Sequence, residues 1–117
     1  MSSGSPAVRA GQKRLSERIE LLPGAHVQNK LMATNDRNLA LALLGCDDAL
    51  ERSVFDRIAP RKADRVRSEL AVIERRHVDP AIVLQAVSRL LDALDSNARA
   101  DDRSSYWRPR NAADGAR

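Results

Sequence analysis

The residues best placed to do chemistry in this chain are charged rather than nucleophilic. Arg61, Arg65 and Glu69 recur at i, i+4 and i+8, which sets them in a row along one side of a helix. Such a row reads either as a solvated face or as a docking face whose mixed charges orient a partner. The Arg65-before-Glu69 order is the less favourable one within a helix, so the pair would contribute only roughly a few tenths of a kcal/mol. The single cysteine, Cys46, cannot close an intramolecular disulfide. Between Gly45 and Asp47 it reads as a small, partly buried side chain, with a reactive thiol as the alternative. His26 and His77 are the only histidines, and His26 has no carboxylate or cysteine at metal-ligand spacing. Asp47 and Asp48 are adjacent carboxylates at a helix start, where capping accounts for them. The chain has no Gly-rich loop ahead of a lysine, no Cys or His cluster and no serine in a nucleophile turn. These observations point away from an enzyme and from a cofactor or metal.

The elements that must position this charged row are short helices. From Gln12 to Leu22, Leu15, Ile19 and Leu22 follow at helical spacing, and Pro23-Gly24 stops them. Residues 25–33 read as a second short helix, with Val27, Leu31 and Met32 as the candidates to face inward. Thr34, Asn35 and Asp36 form a cap cluster, followed by a helix rich in Leu and Ala whose short side chains permit close approach. Gly45 suits the left-handed position after its last turn. Asp48 and Glu51 have capping-box spacing ahead of Leu50, Val54, Phe55 and Ile58. Pro60 opens the next helix, whose apolar stripe is Ala63, Val66, Leu70 and Ile73. Asp79-Pro80 opens the last one, with Val83, Val87, Leu90, Leu91 and Leu94 on a broad stripe. Leu43, Phe55, Val66 and Leu70 are the residues around which the domain should pack.

The expected fold is all-α: one compact helical bundle over 12–95, between a disordered Ser-, Gly- and Pro-rich tail over 1–11 and a polar, Arg-rich tail over 96–117. Aromatics are scarce, at 3% of 117 residues, which favours an aliphatic helical core over strands. Tyr106 and Trp107 stand out in the C-terminal tail. That pair could fold back onto the domain, act as a docking motif for a partner, or have no specific role. The net charge of +4 resides at the ends, because residues 19–98 hold eleven basic and twelve acidic side chains. Without a concentrated basic face, nucleic acid is not the expected partner. No signal-peptide pattern and no apolar run of membrane-spanning length is present, so a cytoplasmic location without direct membrane insertion is expected.

The ordered stretch LALALLGCDDALERSVFDRIAPRKADRVRSELAVI resembles the C-terminal domain of FliG, the flagellar motor switch protein. The likeness rests on the Ala42-Leu43-Leu44-Gly45 turn, the helix from Leu50 to Ile58 and the Arg-led helix from Arg61 to Leu70. It extends over about residues 19–95, so the chain is expected to be a standalone divergent copy of that domain. The resemblance implies an armadillo-like helical bundle on the cytoplasmic side of the flagellar rotor, peripheral at the basal body on the inner-membrane face. It implies contacts between a charged helix and the stator or other rotor and switch components, serving motility and chemotaxis. By position, Arg61 matches the Arg that opens the charged helix and Glu69 the second acid of its acidic pair. Leu44 stands where the family usually has Lys, Ser68 where it has the first acid, and His77 where it often has Arg.

The functional expectation is therefore a FliG C-terminal-like protein-interaction domain acting through Arg61, Arg65, Ser68, Glu69 and His77. The alternative is a helical regulator or scaffold unrelated to motility that binds a partner through Tyr106 and Trp107.

Overall fold

The structure, a computed structural model, describes residues 5–103, with side chains placed for residues 5–95. These residues form α1 (Pro6–Leu21), α2 (Gly24–Ala33), α3 (Asp36–Leu43), α4 (Asp48–Phe55), α5 (Pro60–Glu74) and α6 (Pro80–Arg103). Among the described residues all regular structure is helical, as the composition led one to expect. The short α3 is the central strut. Leu39, Ala40, Ala42 and Leu43 are all buried on it, and it packs against both α5 and α6. Its alanines let the neighbouring backbones approach on both sides.

Local sequence explains most of the boundaries. Asn35 caps α3, its Oδ1 accepting from the Asn38 amide at 2.7 Å. Asp47 caps α4 by accepting from the Leu50 amide at 2.9 Å. The cap is thus one residue earlier than the Asp48 that the box spacing suggests, and Asp48 and Glu51 fall in the first turn, where exposed amides favour carboxylates. Pro60 opens α5, and Asp79 accepts from the Ala81 amide ahead of α6. Gly45 has φ of 73°, the left-handed geometry that ends α3 at little cost only for glycine.

Two boundaries differ from the sequence expectation. α1 starts at Pro6, inside the segment read as a tail over 1–11. Ser5 caps it, accepting from the Val8 amide at 3.2 Å, and proline opens it. Its first turns are held by burial of Val8 and Gln12. At the other end, α6 continues to Arg103, beyond the domain edge expected at 95.

The core draws on every helix. Leu43, Phe55, Val66 and Leu70 are all buried, together with Leu15, Ile19, Leu31 and Leu90. Phe55, the one phenylalanine, also carries the Arg67 guanidinium 4.3 Å over its ring. α1 and α6 run parallel, side by side: Gly11 lies against Leu84 and Val87, where an added Cβ would stand 3.3 and 3.2 Å from their side chains, and Arg18 pairs with Asp95 further along.

Candidate functional site

The charged side of α5 is built into its seam with α3. Because Asn35 takes the capping role, the Asp36 carboxylate is left to reach across to α5. Lys62 Nζ donates to Asp36 Oδ1 at 2.8 Å and to the Thr34 carbonyl at 2.7 Å. Arg65 Nε donates to Asp36 Oδ2 at 2.8 Å, and Arg37 Nε donates to Glu69 Oε1 at 2.8 Å. Arg65 and Glu69 thus each reach a partner on α3, and the weak i,i+4 pair between them does not form. Lys62 is only 4% exposed. A buried ammonium is tolerated only when paired and hydrogen-bonded, and Asp36 with the Thr34 carbonyl meets that need. The hydrogen bond from Lys62, then that from Arg65, holds the Asp36 carboxyl below its ordinary range.

The network has a polarity. The side chains of Arg37 and Arg65 are each 57% exposed, whereas those of their partners Glu69 and Asp36 are 35% and 27% exposed. The guanidinium groups form the outer surface and the carboxylates lie beneath them. Arg61, one turn before Arg65, is exposed and has no ion pair among the described residues. A partner approaching this face would meet cations first.

The other residues singled out from the sequence are dispersed. Ser68 is exposed on α5, and its side chain makes no hydrogen bond among the described residues. His77 is exposed in the α5–α6 connection. The length of α5, 15 residues at about 1.5 Å each, or about 22 Å, separates it from Arg61. Tyr106 and Trp107 lie outside the described residues. Leu44, in the position of the family lysine, is half-buried against the core and shares an apolar groove of about 300 Å³ with Val8, Val78 and Val83.

Four contributors are not singled out as site residues by the sequence: Asp36, which reads there only as part of a cap cluster, and Arg37, Lys62 and Gln12. Gln12 is buried on α1, and its Nε2 donates to the carbonyls of Ala42 and Leu44 at 3.1 and 2.9 Å, closing the C-terminal end of α3. Lys62 and Gln12 did leave a periodic trace. Lys62 precedes Val66, Leu70 and Ile73 by four, eight and eleven residues, and Gln12 precedes Leu15 and Ile19 by three and seven. Both therefore sit on the inward stripe of their helix. Asp36 and Arg37 left no such trace, since their partners lie on another helix.

The remaining reactive groups are occupied or quiescent. Burial pushes the Cys46 thiol up to about 12, with Glu51 and Asp47 adding to the effect, so little thiolate forms near neutrality. His26 is half-buried, with Nε2 donating to the Leu94 carbonyl at 2.8 Å. Among the described residues no group of three or more His, Cys, Asp or Glu side chains could hold a metal ion, and no helix is long and apolar enough to cross a membrane.

The sequence model of the FliG C-terminal domain family matches residues 15–102, about three quarters of the chain and more than the stretch that carried the resemblance. It leaves the first turns of α1, including Val8 and Gln12, outside the match. No curated protein and no solved structure shows significant similarity to the chain.

Proposed function

The chain belongs to the FliG C-terminal domain family, and on that premise we propose that it serves the flagellar motor switch as a protein-interaction module whose docking face is the α3–α5 seam. The observation that carries this reading is the outward-facing cation set of Arg37, Arg61 and Arg65, in which Arg37 is held over Glu69 and Arg65 over Asp36. Carboxylates beneath guanidinium groups fix their direction without covering them, which is how a surface gains orientation rather than raw affinity. The partner's contacting segment is accordingly acidic, on a stator loop or another rotor component at the cytoplasmic face of the basal body. The family is a motor-switch family rather than an enzyme family, and no reaction is assigned to the chain.

Two features favour docking over full torque transmission. Leu44 is turned into the groove beneath α1 and offers no charge. Ser68 is exposed but neutral. The contact is therefore confined to the Arg37–Arg61–Arg65 side, with Glu69 as a strut, as would suit a rotor accessory or regulator.

Arg61→Glu tests the reading without disturbing the α3–α5 network. Binding to the cytoplasmic loop of a flagellar stator subunit and to rotor switch proteins would be measured by titration at low and physiological salt, with swimming scored in parallel. Loss of an exposed ion pair costs about 1 kcal/mol, roughly fivefold in Kd, and the loss should shrink as salt rises. Affinities for all of these partners that do not change on charge reversal would refute the assignment of this face.

A further inference from the structure

The flank between α1 and the C-terminal half of α6 holds a second surface that the charged seam does not use. Leu21, the last residue of α1, is 76% exposed, the highest value among the exposed large hydrophobics described. It opens onto a groove of about 530 Å³ lined by Arg14, Glu17, Leu91, Asp92 and the Arg18–Asp95 pair, so its acids outnumber its cations by one. Glu17 and Asp92 are exposed and have no ion pair among the described residues. The groove thus combines an uncovered leucine with these two carboxylates, beside Arg14. α6 runs on past it to Arg103, and the sequence continues Ser-Ser-Tyr106-Trp107-Arg108-Pro109-Arg110.

We propose that the segment Tyr106–Arg110 folds back along α6 and docks in this groove, its aromatic pair covering Leu21 and its two arginines meeting Glu17 and Asp92. The distances agree. At about 1.5 Å per helical residue, Arg103 lies about 12 Å beyond Asp95. Leu21 lies three residues past Arg18, the partner of Asp95, and so about 7–8 Å back from Arg103. Four residues span at most about 13–14 Å, enough for Trp107 to turn and reach Leu21. Arg110 then has about 24 Å of reach for the roughly 16 Å back to Asp92. The order along the chain, aromatics first and arginines after, matches the order along the groove, Leu21 first and the carboxylates of Glu17 and Asp92 after. The more apolar groove beside Leu44 is a poorer host on two counts. Arg9 is the one charged residue in its lining, so no carboxylate is there to meet the arginines. Its Pro80 and Val83 also lie about 30–35 Å from Arg103 along α6, beyond the reach of Trp107.

Trp107 is the only tryptophan, so its fluorescence reports on this segment alone. In the full chain its emission should be blue-shifted, and less quenched by acrylamide, than in a synthetic peptide of residues 99–117. The difference should be independent of protein concentration. Leu21→Asp changes an exposed position, and Glu17→Lys combined with Asp92→Lys changes two more. Each variant should return Trp107 to the peptide's emission and quenching, while far-ultraviolet circular dichroism of the helical body stays constant. Peptide-like emission in the wild type would overturn the proposal. So would a blue shift that either variant leaves in place, which would put the segment elsewhere. A shift that appears only as concentration rises would also overturn it, by assigning the groove to a second copy.

Discussion

Gln12 offers the sharpest test of how this domain is held together. It is the one buried amide of α1, and its Nε2 serves two carbonyls at the end of α3, thirty and thirty-two residues away in sequence. Gln12→Leu keeps the side-chain size and removes both hydrogen bonds. The Ala42 carbonyl lies in a buried contact, and orphaning such a group costs about 1–3 kcal/mol. The Leu44 carbonyl is only part-buried, so water can replace the amide there and its loss sits near the low end, about 1 kcal/mol. The added apolar burial of leucine offsets about 1 kcal/mol. The net is a destabilisation of about 2 kcal/mol, or roughly 10 °C in Tm for a domain of this size. Gln12→Glu goes further, because a carboxylate would face two carbonyl oxygens and its pKa would rise in the folded state. A group with a raised folded pKa destabilises once charged. The variant should therefore be weakest at neutral pH and regain Tm relative to wild type as pH falls towards the ordinary Glu value of about 4.3. Thermal denaturation followed by circular dichroism at several pH values reads both effects. A wild-type Tm for Gln12→Leu, or no relative recovery of Gln12→Glu on acidification, would refute the role assigned to this side chain.

Other predictions follow from the same geometry. Phe55→Ala should cost about 3–5 kcal/mol in chemical denaturation. Phe55→Leu should keep most of the burial but lose the Arg67 cation–π contact, about 0.5–1 kcal/mol, and a double-mutant cycle with Arg67→Ala isolates that share. For Asp36 the folded pKa is lowered, so its charge stabilises the fold above the ordinary carboxylate range and that contribution fades as pH falls through the lowered value. The Tm difference between wild type and Asp36→Asn should therefore be full at neutral pH and vanish in strong acid. A difference that stayed constant with pH would show that the carboxylate's charge is not what holds Lys62 and Arg65.

Much of the fold was legible because the rules that set it are local. Gly45 had to follow the last turn of α3 because its left-handed φ excludes most residues, and Pro60 had to open α5 because it lacks an amide hydrogen. The stripe from Ala63 to Ile73 faced inward as its spacing required. The start of α1 was misplaced although Ser5-Pro6 carried a start signal. The apolar residues that anchor its first turns are sparse, and their burial depends on α6 and on the end of α3.

The candidate site divides along the same line. The sequence by itself determined that Arg61, Arg65 and Glu69 share one side of a helix, that this helix is amphipathic, and that the chain resembles the FliG C-terminal domain. Those facts depend on spacing and residue type alone. Only the tertiary structure decided what the charges do. Asp36 meets Lys62 and Arg65 from twenty-six and twenty-nine residues away, and Arg37 meets Glu69 from thirty-two. Such pairings arise when helix packing brings two surfaces together, and no periodicity within one helix encodes them. That is why a row of alternating signs in the sequence becomes, in the folded domain, arginines resting on half-buried acids.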